Sequence, residues 1–157
     1  MDTVIQVLAV VAILANAVVY GTDVFAAIVL RPAVAAVDDR TLTQLLGHVH
    51  RVADRRYPVI GAVGLIAAEA TAVLAAVDGR WTMAMCGAVA TVALLAFLGI
   101  YARISQPVNA QLTAAAVEGR VPADARRLQA RWDSVIVARV ALQSVALAAL
   151  CIVLAVA

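Results

Sequence analysis

Four apolar stretches, at about 4–30, 58–77, 81–104 and 134–157, dominate this chain and limit what it can fold into. Each is long enough to cross a hydrocarbon core of about 30 Å, which takes roughly 20 helical residues. The chain has 157 residues, of which 65% are hydrophobic and 14% charged. A domain of that size has too little interior to hide so large an apolar excess from water. The composition therefore excludes an ordinary soluble enzyme, a disordered tail and a nucleic-acid-binding module. The expected architecture is all-α: a four-transmembrane-helix bundle forming a single integral membrane domain over 1–157, with the lipid bilayer as its first partner.

Charge placement orients the bundle. Arg31, Arg40, Arg51, Arg55 and Arg56 lie between the first two stretches, and Arg103, Arg120, Arg126, Arg127 and Arg131 between the last two. The tight turn Asp78-Gly79-Arg80 carries one Arg, and the termini carry none. The positive-inside rule then places both long connections in the cytoplasm and both termini outside, in a multi-pass protein of the cell (inner) membrane. The first stretch has no basic residue before it and is too long for a signal peptide, so it is expected to be retained. All twelve basic residues are Arg, a bias that points to a GC-rich bacterial genome.

The long connections carry helical patterns of their own. Thr41 to Tyr57 reads as a helix running through Pro58 with a kink, and Pro122 to Trp132 as an amphipathic run into the fourth stretch. Asp78-Gly79 marks a sharp hairpin, so helices 2 and 3 are antiparallel neighbours. No internal repeat of the kind found in many transporters is visible.

Polar residues inside apolar spans are costly and therefore informative. Asn16, Tyr20 and Asp23 share one face of helix 1. His48, Arg55 and Glu69 fall seven or fourteen residues apart on helix 2, and Trp132, Arg139 and Gln143 share a face of helix 4. Turned inward, these three stripes would line a polar cavity near the cytoplasmic face, with Asp23 and Arg139 as an ion pair. The plainer alternative is that the network only fixes helix packing. Glu69 has no basic residue at its depth, and is expected to be protonated or to face a ligand, water or metal.

His48 and His50 point roughly 200° apart on a helix and cannot clamp one ion together. His48 falls on the Glu69 face and His50 on the Tyr57 face, which makes His48 the candidate base, haem axial ligand or metal ligand. The alternative for His48 is an interfacial residue touching water and headgroups. Cys86 and Cys151 lie at similar depth, so a disulfide is conceivable, although buried small hydrophobes are the simpler reading. Gly64-xxx-Ala68 and Ala-xxx-Ala spacings allow close helix packing and a homo-oligomer. No flavin, nicotinamide or P-loop motif is present.

Several short motifs converge on one family. They are Gly21-Thr22-Asp23-Val24-Phe25 with Arg31-Pro32 after it, and Tyr57-Pro58 entering helix 2. To these are added Gln106-Pro107-Val108-Asn109-Ala110-Gln111-Leu112 after helix 3, and Arg131-Trp132-Asp133 followed by Arg139. Across nearly its whole length the chain resembles a family of small four-helix membrane proteins whose characterised members are anthrone oxygenases. The resemblance implies that Asn109, Trp132 and Arg139 cluster at the cytoplasmic mouth of the cavity. There Arg139 would hold an enolate oxygen, Asn109 would donate to it, and Trp132 would stack on a flat aromatic substrate. His48 or Asp23 would be the base, and Tyr20, Asn16, Gln143 and Glu69 would complete the substrate cavity.

The functional expectation is thus an oxygenase-like oxidoreductase acting on a hydrophobic aromatic or quinone-like molecule. It would be cofactor-free or would use haem or a metal ion held by His48. Two other classes remain open: a small proton-coupled transporter using Glu69, and a non-enzymatic membrane subunit.

Overall fold

A computed structural model describes residues 2–157. Among the described residues the chain is entirely helical, with no strand. Four helical rods, α1 (Asp2–Ala35), α2 (Asp39–Val77), α3 (Trp81–Val117) and α4 (Ala125–Ala155, with a turn at Ser134 and Val135), are each long and apolar enough to cross a membrane. This is a multi-pass, four-helix membrane architecture. The rods run alternately up and down, with α1 and α3 each packed against both α2 and α4.

The rods are longer than the sequence suggested. The Thr41–Tyr57 pattern continues through Pro58 into the second span, as expected, and beyond the expected stretches α1 runs on to Ala35 and α3 to Val117. At 1.5 Å per residue α2 is about 58 Å long, nearly twice the hydrocarbon core. The Arg-rich end of the bundle therefore projects beyond the bilayer. Pro58 sits inside α2, where its missing N–H leaves the Asp54 carbonyl without a helical donor.

Local chemistry sets the ends of the rods. The Asp38 carboxylate accepts from the Thr41 amide at 2.7 Å and caps α2, and that bond holds its pKa below the usual carboxylate range. Gly79 and Gly119 close α2 and α3 in the left-handed conformation, at φ of 71° and 68°, a region glycine enters without steric cost. In both turns the next amide reaches back to the last helical turn, Arg80 to the Ala75 carbonyl at 2.8 Å and Arg120 to that of Ala115 at 3.1 Å. Arg126 on α4 donates to the carbonyls of Val34 and Val37 and to the Asp39 carboxylate. A cation thus caps the negative end of α1.

Three buried layers fill the bundle. Ile5, Ala9, Met83 and Val153 pack the end opposite the arginines. Ala12, Ala68, Ala90, Ala146 and Leu150 fill the middle, where small side chains let helices approach closely. Gly64 and Ala68 are buried in this interior, Gly64 directly against Asn16, so that spacing serves packing within the chain. Leu42, Leu46, Val108, Leu112, Leu128 and Ile136 form the core of the Arg-rich end.

Candidate functional site

Between the middle layer and the Arg-rich core the interior becomes polar. Asp23 and Arg139 lie about 24–32 Å along their helices from the opposite end, which is the edge of a hydrocarbon core about 30 Å thick. The expected pair forms here: Arg139 Nη2 donates to Asp23 Oδ1 at 2.7 Å and Nε to Oδ2 at 3.0 Å. This two-pronged geometry suits a guanidinium better than any other cation. Gln143 Nε2 adds a bond to Asp23 Oδ2 at 2.7 Å, and Arg139 Nη1 donates to Ser105 Oγ at 2.7 Å. All four residues are buried.

Aromatic faces enclose the cation. The guanidinium carbon of Arg139 lies 5.2 Å from the Phe97 ring centre and 5.1 Å from that of Trp132, distances at which a ring attracts a cation. Trp132 in turn packs against His50, with ring centres 5.9 Å apart. One turn further along α2, Asp54 Oδ1 accepts from Tyr101 OH at 2.8 Å and from Asn109 Nδ2 at 3.0 Å. Both Asp54 and Arg139 lie within electrostatic reach of His50.

A departure from α-helical winding assembles the α3 side of this site. Phe97, Tyr101, Ser105 and Asn109 are spaced by four residues, and over that length an α-helix would rotate the stripe by about 120°. The segment Tyr101–Ser105 instead forms a wider π turn. One extra residue in one turn takes back about 100°, so all four side chains stay on one face. A second π turn, Ala26–Leu30, follows Asp23 on α1. Each π turn is followed, two residues on, by a proline, Pro32 or Pro107.

Buried polar atoms without partners concentrate here. His50 Nε2, Trp132 Nε1, Asn109 Oδ1 and Gln143 Oε1 are all enclosed and make no hydrogen bond within the chain. Such atoms cost roughly 1–3 kcal/mol each when left unpaired. All four belong to residues of the Asp23–Arg139 and Asp54 clusters.

The expected stripe on helix 2 does not turn inward. His48, Arg55 and Glu69 are all exposed on the outer face of α2. The inward stripe is Leu42, Leu46, His50, Gly64, Ala68, Thr71 and Ala75, which buries α2's better-packing residues and carries His50 in with them. His48 instead borders two adjoining open grooves on this face, one of about 680 Å³ lined mainly by apolar side chains such as Leu45, Val49, Val52 and Tyr57, and one of about 330 Å³ with Arg51, Arg55 and Arg56. No second His and no Cys lines either groove. Among the described residues no three His, Cys, Asp or Glu side chains come together to hold a metal ion. The residues around His48 thus do not form a site for a metal ion.

The remaining candidates divide. Asn109, Trp132, Arg139, Asp23 and Gln143 belong to the cluster. Asn16 is buried but donates to the Ala12 carbonyl of its own helix at 2.8 Å and packs on Gly64, nearer the middle layer. Tyr20 is half-buried, and it is Thr22 that meets Tyr57, at 2.9 Å. Cys86 and Cys151 are free thiols, half-buried and exposed. His50, Asp54, Phe97, Tyr101 and Ser105 enter the site without having been singled out. The four-residue spacing of Phe97, Tyr101, Ser105 and Asn109 was the one available signal for the α3 group. No protein-family model, curated protein or solved structure matches the chain.

Proposed function

We propose that this chain is a membrane-embedded oxygenase-like oxidoreductase that takes a flat, hydrophobic ketone of the anthrone type. The observation that carries the reading is the buried Arg139, close to the faces of Trp132 and Phe97 in a cluster that also holds unpaired polar atoms, at the depth of the bilayer edge. An apolar aromatic ketone dissolved in acyl chains would reach that depth with its polar oxygen at the headgroup edge. The motifs shared with the anthrone oxygenase-like family point the same way.

The chemistry requires loss of a carbon-bound proton, stabilisation of the resulting enolate, and reaction with dioxygen. Arg139 spends three of its five N–H groups on Asp23 and Ser105, leaving two for the enolate oxygen. Trp132 supplies the stacking face. Asp23 is fully engaged and His48 faces outward, so His50, with its free Nε2, is the base this geometry favours. Burial pushes the His50 pKa down to about 4, which keeps the imidazole neutral and able to accept a proton, and Asp54, four residues on and hydrogen-bonded by Tyr101 and Asn109, would offset part of the cost of the imidazolium that forms. The enolate then passes an electron to dioxygen, the radicals combine at carbon, and the hydroperoxide loses water. In sum a CH₂ group and O₂ give C=O and H₂O, with dioxygen the only oxidant.

The test is quinone formation from an anthrone by the purified protein in lipid nanodiscs, followed by visible absorbance. Wild type should exceed empty nanodiscs, and His50→Gln should lose roughly 10²–10⁴-fold of that excess. A rate equal to empty nanodiscs would refute the proposal. It would favour the reading suggested by the mutual Asp23–Arg139–Gln143 hydrogen bonds, a network that only fixes packing.

A further inference from the structure

The outer face of α2 carries a repeat that its own bundle leaves uncovered except at its end, where Ala76 packs against the core. Leu45, Val52, Val59, Ile66 and Val73 recur every seven residues, and all five are exposed. His48, Arg55, Ala62, Glu69 and Ala76 interleave three residues after each. This alternating three-four spacing is the seam of a coiled coil, with branched aliphatics at one position and mostly small or polar residues at the other. Within the membrane the seam is Val59, Ala62, Ile66, Glu69, Val73 and Ala76. There the branched side chains are 67%, 65% and 53% exposed.

Glu69 says what must cover this seam. It is exposed about 12 Å along α2 from Val77, which is near the middle of a hydrocarbon core about 30 Å thick. None of the ion pairs among the described residues includes it. A carboxyl facing acyl chains at that depth is expensive, and lipid offers it no partner. An apolar helix from another protein would leave it equally unpaired. A second copy of this chain, inserted in the same orientation, brings its own Glu69 to the same depth across a two-fold axis. Two carboxyls there hydrogen-bond to each other through shared protons and need no external countercharge. The exposed Ala62, seven residues before Glu69, lets the backbones come close.

We infer that the chain forms a parallel dimer through α2, with Val59, Ile66 and Val73 interdigitating and the paired Glu69 side chains fixing the register. Arg55, at headgroup depth, splays away from its mate into the anionic interface. The inference does not depend on the reaction proposed above.

Cysteine cross-linking in intact membranes tests it, with Cys86 and Cys151 replaced by Ser. Single cysteines at positions 59, 62, 66, 69 and 73 should form disulfide-linked dimers on oxidation. Leu14→Cys, Val92→Cys and Val145→Cys, equally lipid-exposed on α1, α3 and α4, should not. In reconstituted vesicles diluted with lipid and read by single-molecule energy transfer, Glu69→Leu should weaken dimerisation roughly 3- to 30-fold, with Glu69→Gln largely retaining it. Because Glu69 is exposed and makes no ion pair or side-chain hydrogen bond among the described residues, neither variant should alter the monomer fold. Cross-linking that is absent or as strong at the control positions would overturn the inference, as would a Glu69→Leu variant that pairs like wild type.

Discussion

Replacing Asp23 with Asn keeps the shape of the side chain and removes the charge that balances Arg139. The pair is 7% and 4% exposed at its side chains, so solvent does little to screen it. Arg139 would keep Ser105 and the two rings but lose its two-pronged partner. Breaking a buried pair by removing one member costs about 3–5 kcal/mol, because a lone charge stays buried. Removing both charges with Asp23→Asn and Arg139→Gln together should cost much less than the two single changes summed, a coupling of about 2 kcal/mol or more. The assay is reversible unfolding in mixed detergent micelles, followed by Trp132 fluorescence in a Trp81→Phe background. Since the denatured chain in a membrane-like medium also finds polar partners, the lower end of the range is expected. A loss below about 1 kcal/mol for Asp23→Asn, or a coupling near zero, would refute the view that this pair is a desolvated anchor of the bundle.

Other outcomes follow from the same geometry. A Cβ at Gly47 would collide with the Leu112 carbonyl and the Ala116 Cβ, whereas at Gly61 it meets nothing within 4 Å. Gly47→Ala should therefore lower thermal stability by about 1–3 kcal/mol, with Gly61→Ala neutral or slightly stabilising. Deleting the exposed Ala102 removes the extra residue of the π turn and leaves Phe97, Tyr101, Ser105 and Asn109 at four-three-four spacing on a plain α-helix. That variant should keep its melting temperature within a few degrees, while deletion of the exposed Ala96 should rotate the Arg-rich half of α3 by about 100° and unfold it. At the start of α2, the bond from Thr41 depresses the folded pKa of Asp38. Its capping contribution is then complete above the unfolded value of about 3.9 and lost as pH falls through the lower folded value. Amide exchange at Thr41 should accelerate in Asp38→Ala at neutral pH, and the difference from wild type should vanish in strong acid.

Much of this arrangement was legible in the sequence, because lipid penalises misplaced charge so heavily. The four spans followed from apolar length, and Asp23, Trp132, Arg139 and Gln143 were identified as one inward cluster because few polar groups lie within those spans. Helix 2 was misread for a physical reason. His48, Arg55 and Glu69 repeat every seven residues as an outward seam does, whereas the inward stripe on α2 holds small and apolar residues with His50 among them. Asp54 was hidden in a run of interfacial arginines, where a carboxylate reads as a surface charge. Tyr101 and Ser105 depend on a π turn, and no residue in Tyr101–Ser105 announces that change of winding by its type. The continuity of α1 and α3 past Pro32 and Pro107 was missed for the same reason, since proline normally marks the start or end of a helix.

The central functional claim is that the two free N–H groups of Arg139 stabilise an oxyanion on a flat aromatic ligand at the membrane edge. It is tested most directly by the spectroscopic titration of a hydroxyanthraquinone bound to the protein in nanodiscs of zwitterionic lipid. The account predicts that its phenol ionises at least one pH unit lower than in empty nanodiscs, and that Trp132→Ala weakens binding. An ionisation unchanged by the protein would contradict it.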